Sequence, residues 1–286
     1  MANQVDKLVF GIAGNSPGYL EQTGEINAFS SDRVALNGPK ALFPIYVEGH
    51  NSFLGTQPFS NDSLNLPKEA DATVQLEPEL AIKYRVSYRD DGSVDHLQPY
   101  ALTVINDVTY RNRQAIKLAE KKNWRECSKG ISHDELLIDS LQPGIEIEQL
   151  RLCGFYKRKG QWFQCSQDVS VTQYIVFYQE LTEWILNSIY NQKDEGAMHC
   201  ILDLFHTAGQ PDSITVAIGA PSYTELGANH SLLVGDEVAV CLYHDSEQHL
   251  DKLPRLFDQS EILDKPNLDM ILLKQVVGSH KDFSNL

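Results

Sequence analysis

Two glutamates, Glu77 and Glu79, stand two residues apart in a segment that alternates strictly between apolar and polar side chains. Val74, Leu76, Pro78, Leu80, Ile82, Tyr84 and Val86 fall on one face of it, and Gln75, Glu77, Glu79, Ala81, Lys83 and Arg85 on the other. A period of two over this length predicts a strand with one buried face. Both carboxylates then leave the same face, roughly 7 Å apart along the strand. Adjacent like charges repel unless solvent separates them or a cation bridges them. The alternation by itself favours a solvated polar face shared with Lys83 and Arg85, and a cation site is the second reading.

Other groups could move protons or balance charge. Glu21 follows the Gly14-Asn15-Ser16-Pro17-Gly18 cluster and is a candidate carboxylate base, although a glutamate in a polar loop ordinarily faces solvent. His50, in a loop-rich stretch, ranks below it. Lys129, within Cys127-Ser128-Lys129-Gly130, reads as a surface lysine when taken alone. The five cysteines are scattered and form no CxxC pair, which fits reduced thiols better than a disulfide framework or a zinc site.

The elements that must position these groups are mostly strands. Lys7 to Ala13 reads as a short buried strand ended by the Gly-Asn-Ser-Pro-Gly cluster. Residues 45 to 70 are rich in turn formers and mark a seam between a small N-terminal region, 1–45, and a main body, 46–243. Asp90-Asp91-Gly92 closes the alternating strand, and a second strand runs from Tyr100 to Asn106. Arg111 to Trp124 has the spacing of an amphipathic helix. Gly154 to Cys165 reads as a hairpin turning at Lys159-Gly160. Tyr174, Phe177, Tyr178, Leu181, Trp184, Ile185 and Ile189 stripe a helix over Val171 to Tyr190, a stripe read as core packing. Ile214 to Ile218 and Glu237 to Tyr243 read as apolar strands, and residues 244–286 as a polar, partly helical extension. The fold class expected is mixed α/β, rich in β and with few helices.

Composition narrows the function classes. Lys and Arg total 24 against 39 Asp and Glu, a formal charge of −15, in a chain of ordinary globular hydrophobicity. Such a surface repels phosphate backbones and anionic membranes, so neither nucleic acid nor membrane is an expected partner. The N-terminus reads as a first strand and not as a signal peptide, and no stretch nears the roughly 18 apolar residues of a spanning helix. The expected compartment is the cytoplasm.

A wider pattern bears on the glutamates. Leu76-Glu77-Pro78-Glu79-Leu80-Ala81 is followed, thirty residues after Glu77, by Thr103-Val104-Ile105-Asn106-Asp107-Val108-Thr109-Tyr110-Arg111. In these segments the chain resembles the fumarylacetoacetate hydrolase superfamily, which carries a Glu-x-Glu strand and then an Asn-Asp-Val-Ser/Thr-x-Arg segment. The resemblance implies a β-sandwich roll with few flanking helices, and metal ligands at Glu77, Glu79 and Asp107. Three carboxylates make a hard-oxygen site, suited to Mg²⁺ first and to Mn²⁺ or Ca²⁺ as alternatives. By the same resemblance Arg111 supports the ligands or the substrate, Lys129 lines the pocket as a catalytic cation, and Gln164 binds substrate. Pro39 to Phe43, Ile218 to Pro221 and Val234 to Val238 match weaker family motifs.

The departures are as informative. The family's His and Glu of the N-terminal motif meet Tyr19 and Glu21-Gln22 here, so Tyr19 becomes a substrate contact and Glu21 the candidate base. A family lysine is Ile45 and a family threonine is Ala220. What the resemblance implies is a metal-dependent hydrolase or lyase acting on a 2-oxo or 1,3-dicarbonyl acid through a metal-stabilised enolate. Its partner would be a small carboxylate substrate, and its assembly a homodimer. The alternative is a non-catalytic protein that binds a metal and a small acid on the same fold.

Overall fold

The computed structural model describes residues 5–26, 38–143, 146–245, 250–258 and 270–279. Apolar, β-branched runs build two sheets that bury one another's inner faces. The larger has eight strands. Its spine runs from Ala41–Val47 through Leu8–Ala13, Ser213–Ala217, Pro78–Tyr88 and Val94–Asn106 to Lys129–Ile131 and Phe59–Ser60, and Leu136–Leu137 pairs on Val94–Asn106. The smaller has six strands. Gln161–Gln164, Leu150–Arg158, Glu237–His244, Met270–Ser279 and Ser63–Leu66 follow in order, with Val169–Ser170 beside Leu150–Arg158. Val74–Gln75 and Thr109–Tyr110 form a separate antiparallel pair. This is the β-rich mixed architecture expected, with helices few and short.

Two expected elements appear in altered form. The helix expected over Val171 to Tyr190 starts later, at Tyr178, and runs to Asn191 after a 3₁₀ turn at Val171–Gln173. The helix expected over Arg111 to Trp124 is absent apart from a 3₁₀ turn at Leu118–Lys121. Side chains hold that segment out of the helical path: Asn112 accepts from the Thr73 N–H at 2.7 Å and donates to the Asp71 carbonyl at 2.8 Å. Glu120 meanwhile caps the N–H groups of Ile116 and Lys117.

The C-terminal region differs most from its sequence reading. Met270–Ser279 is a strand inside the smaller sheet, antiparallel to Glu237–His244 and parallel to Ser63–Leu66. It alternates too: Ile271, Leu273 and Val277 join the main core, while Met270 and Leu272 join a second cluster with Phe155 and Phe257. Residues 246–249, 259–269 and 280–286 of the expected extension, and 1–4 and 27–37 of the expected N-terminal region, lie outside the described residues.

The central hairpin positions the candidate site. Pro78–Tyr88 pairs with Val94–Asn106 in register Pro78↔Asn106 and Glu79↔Ile105, so one end of this hairpin carries both motif segments. The smaller sheet presses on that end at Gly154, where a Cβ would come within 2.8 Å of Pro78 Cγ. Only glycine allows that approach.

Candidate metal centre

The alternating strand breaks at Leu76–Glu77, between Val74–Gln75 and Pro78–Tyr88. Asp107 follows the last residue of Val94–Asn106, and its N–H donates to the Glu77 carbonyl at 2.9 Å. The Glu77 N–H in turn donates to Asn106 Oδ1 at 3.3 Å. These backbone links bring Glu77, Glu79 and Asp107 together, with one ligand oxygen from each lying within 4.8 Å of the others. All three residues are at most 3% exposed. At this end the polar face of the strand is therefore a buried carboxylate cluster and not the solvated face that its alternation favoured.

Cations ring the cluster. Arg111 Nη2 lies 2.7 Å from Glu77 Oε1, and its Nη1 3.2 Å from Glu25 Oε1. Lys122 Nζ lies 2.6 Å from Glu77 Oε2 and 2.7 Å from Asp107 Oδ2. Lys129 Nζ lies 3.5 Å from Asp107 Oδ1 and donates to the Val108 carbonyl. Glu79 instead accepts the Gly219 N–H at 2.8 Å. Gly219 holds φ at 115°, a conformation that side-chain-bearing residues rarely adopt. A narrow cavity of about 30 Å³ opens on Glu77 and Glu79 and is lined further by Tyr19, Glu25, Lys122 and Ala220.

Burial and charge divide the three acids. Burial pushes the Glu77 carboxyl up, but Lys122 and Arg111 outweigh it and hold it at about 2. Burial raises Glu79 well above the usual carboxylate range, and the neighbouring Asp107 charge adds to the rise. Asp107 is raised by burial against the pull of Lys122 and Lys129. Burial draws the Lys129 amine down to about 8 despite Asp107.

Comparison with known proteins settles the family. Residues 25–277 match the model described as a family of unknown function, DUF5718. The chain belongs to the DUF5718 family. No curated protein matches it. Among solved structures, Cg1458 with inhibitor is 18% identical with a TM-score of 0.57, over 97% of this chain and 79% of that one. The 2-keto-3-deoxy-D-arabinonate dehydratase complexed with magnesium and 2,5-dioxopentanoate is 14% identical with a TM-score of 0.52, over 97% of this chain and 74% of that one. This DUF5718 chain thus shares the fold of Cg1458 and of the 2-keto-3-deoxy-D-arabinonate dehydratase.

Within the DUF5718 chain the expected site residues fall into two groups. Glu77, Glu79, Asp107, Arg111, Lys129 and Tyr19 come together. Tyr19 is buried, lines the cavity, and accepts from Arg111 Nη2 at 2.5 Å, beside the Tyr223 hydroxyl. Lys129 is fully buried behind Asp107, 4.8 Å over the Trp124 ring, and is not among the residues lining the cavity. Glu21 and Gln164 stand apart. Glu21 is exposed on the short Tyr19–Thr23 helix, which ends at Gly24 and turns the chain so that Glu25 enters the cavity. Gln164 donates to the Ser166 carbonyl and faces a different hollow, with Tyr156, Phe163 and His230. His50 is tied to Ser52 in its own loop.

Glu25, Lys122 and Gln275 are the site residues that sequence reasoning missed. Gln275 is fully buried, accepts from Asn106 Nδ2 at 2.9 Å and donates to the Ser63 carbonyl at 2.8 Å. Glu25 lies four residues beyond Glu21, past the end of the Tyr19–Thr23 helix, where no local pattern marked it. Lys122 sat in a segment read as helix, where a lysine is ordinarily a solvated side chain.

Proposed function

We propose that this chain is a divalent-metal-dependent enzyme acting on a 2-oxo or 1,3-dicarbonyl acid through an enolate. The observation that carries this reading is the burial of three carboxylates with ligand oxygens within 4.8 Å of one another, two of which, Glu77 and Glu79, line one cavity. The residues fit a hard cation: the ligand atoms are all oxygens, and among the described residues the buried Asp107 side-chain oxygens face only the ammonium groups of Lys122 and Lys129. Glu77, Glu79 and Asp107 would hold the ion, which when bound would supply Lewis-acid polarisation of the substrate carbonyl and charge to stabilise the enolate. The dehydratase of like fold is complexed with magnesium and a dioxo acid, which supports that ligand chemistry.

The chain's own groups favour an anionic ligand. Arg111, Lys121, Lys122 and Lys129 already pair with Glu25, Glu77 and Asp107. The charges of a bound cation are then left for a substrate carboxylate to meet. Arg111 orients the Tyr19 and Tyr223 hydroxyls at 2.5 and 2.9 Å. Glu25 is the carboxylate placed to exchange a proton with a molecule in the cavity, the part first given to Glu21. A cytoplasmic homodimer belongs to the same reading.

Calorimetry with Mn²⁺ and then oxalate tests it, followed by turnover of an oxaloacetate and acylpyruvate panel. One Mn²⁺ per chain, oxalate binding only with the metal, and turnover of a panel member are expected. Absence of saturable Mn²⁺ binding would sink the reading. Two observations favour the non-catalytic alternative: no histidine among the described residues lines the cavity, and about 30 Å³ is room for about one water. Oxalate binding without turnover of any panel member would select that alternative.

A further inference from the structure

A buried ammonium between two carboxylates occupies the same oxygens that a metal ion would use. Lys122 Nζ donates to Glu77 Oε2 at 2.6 Å and to the Asp107 carbonyl at 3.4 Å, and forms an ion pair with Asp107 Oδ2 at 2.7 Å. The residue is 4% exposed, its ammonium lies 5.5 Å over the Phe43 ring, and its N–H is anchored to the Ala119 carbonyl. It closes the short 3₁₀ turn at Leu118–Lys121, so a fixed point of the backbone delivers the charge.

We propose that Lys122 is a tethered cation that holds Glu77 and Asp107 together in the metal-free protein and competes with a divalent ion for them. This rests on the metal-binding reading above. An ion coordinated by Glu77, Glu79 and Asp107 needs oxygens that Lys122 already engages, and two cations on one buried oxygen pair repel strongly. The ammonium must therefore swing aside or lose its contacts before an ion can be held. The cluster also differs from a metal cage that awaits its ion, because Glu77 and Asp107 are each paired with two cations without one. Lys122 thereby sets the metal affinity of the site, and with it the concentration of divalent ion at which the site fills.

A purely structural ion pair predicts something else. Removing one partner of a buried pair destabilises the fold, and nothing about that loss improves metal binding. The test is a Mn²⁺ titration, by calorimetry and by the spin-resonance signal of free Mn²⁺, on the full chain as wild type, Lys122→Met and Lys122→Gln. Both variants are expected to bind one Mn²⁺ at least about tenfold tighter than wild type. Their thermal midpoints should be depressed in EDTA and restored by Mn²⁺, while the wild-type midpoint changes little. Equal affinity in all three proteins overturns the competition but leaves the metal-binding reading standing, whereas no binding in any of them overturns both. The wild type gives a readout that does not depend on the variants folding. The ¹⁵N resonance of the Lys122 ammonium is expected to move as Mg²⁺ saturates the site, and a resonance that stays fixed while Mg²⁺ binds overturns the proposal.

Discussion

Asn106 Nδ2 donates a 2.9 Å hydrogen bond to Gln275 Oε1, joining the segment that carries Asp107 to a strand 169 residues further along the chain. Gln275 is fully buried, and its amide also donates to the Ser63 carbonyl, which ties the rear of the carboxylate cluster to the smaller sheet. The glutamine is thus a keystone for Asn106, and through Asn106 for the Glu77 backbone.

Gln275→Leu fills similar volume but leaves the Asn106 amide and the Ser63 carbonyl without their partner. An unsatisfied buried polar group costs about 1–3 kcal/mol, so a loss of roughly 2–4 kcal/mol is expected, read from the urea midpoint. A variant within about 0.5 kcal/mol of wild type would mean that the amide contributes nothing.

Glu79→Gln should move stability the other way. Glu79 is buried with no cation in direct contact among the described residues, whereas Glu77 and Asp107 each have two. An amide keeps an acceptor for the Gly219 N–H and removes the cost of a buried carboxylate beside Asp107. The metal-free protein is expected to gain about 1 kcal/mol by thermal denaturation while losing saturable Mn²⁺ binding, the opposition of stability and function seen at active sites. A destabilised variant would show that Glu79 is already satisfied in the metal-free protein.

Glu25→Gln and Glu21→Gln separate two carboxylates four residues apart in the sequence. On any turned-over member of the oxo-acid panel, Glu25→Gln should lose at least about a hundredfold in kcat, the usual worth of general acid–base catalysis. Glu21→Gln, exposed and outside the cavity lining, should stay within about twofold of wild type. The reverse pattern would return the role to Glu21.

His230 gives a stability prediction with a sign. Its ring stacks on Tyr156 with centroids 3.5 Å apart, and burial, aided by Arg158 and opposed by Asp236, draws its pKa down to about 4. The unfolded chain takes up this proton near pH 6.5, so between about pH 6.5 and 4 it binds more protons than the folded protein. The stability contributed by neutral His230 is present above that window and is lost as the pH falls through it. His230→Phe keeps the stack without the titration, so its midpoint should fall less than that of wild type between pH 7 and pH 5. Parallel curves would exclude His230 as a source of acid sensitivity.

The legible part of the site lay on one hairpin. Glu77, Glu79 and Asp107 sit at one end of a strand pair that local alternation and a tight turn specify, so their meeting follows from the sequence. Glu25, Lys122 and Gln275 reach the same point by routes that no local pattern encodes. Glu25 depends on a chain reversal at Gly24, and Lys122 on a segment that Asn112 and Glu120 hold out of a helix. Gln275 depends on a strand that lay within the stretch read as a polar, partly helical extension, and whose partner Ser63–Leu66 is far away in sequence. The fold class was readable from strand periodicity. The helix boundaries were less so, since Val171–Gln173 and Leu118–Lys121 keep an apolar spacing while tertiary contacts limit them to 3₁₀ turns.

Two parallel pairings close the sheets, Leu8–Ala13 on Ser213–Ala217 and Met270–Ser279 on Ser63–Leu66. Each joins residues some two hundred positions apart, and each loop must close before its contacts repay the lost entropy. During synthesis the hairpin bearing Glu77, Glu79 and Asp107 emerges long before the strands that bury it. For that interval its acids face water, where their mutual repulsion is screened and costs little. The penalty for gathering them falls due only when the last long-range strand docks, at the moment when Arg111, Lys122 and Lys129 are drawn in alongside. Assembly of the site and completion of the fold are on this view one slow event, and refolding from denaturant should proceed in seconds rather than milliseconds.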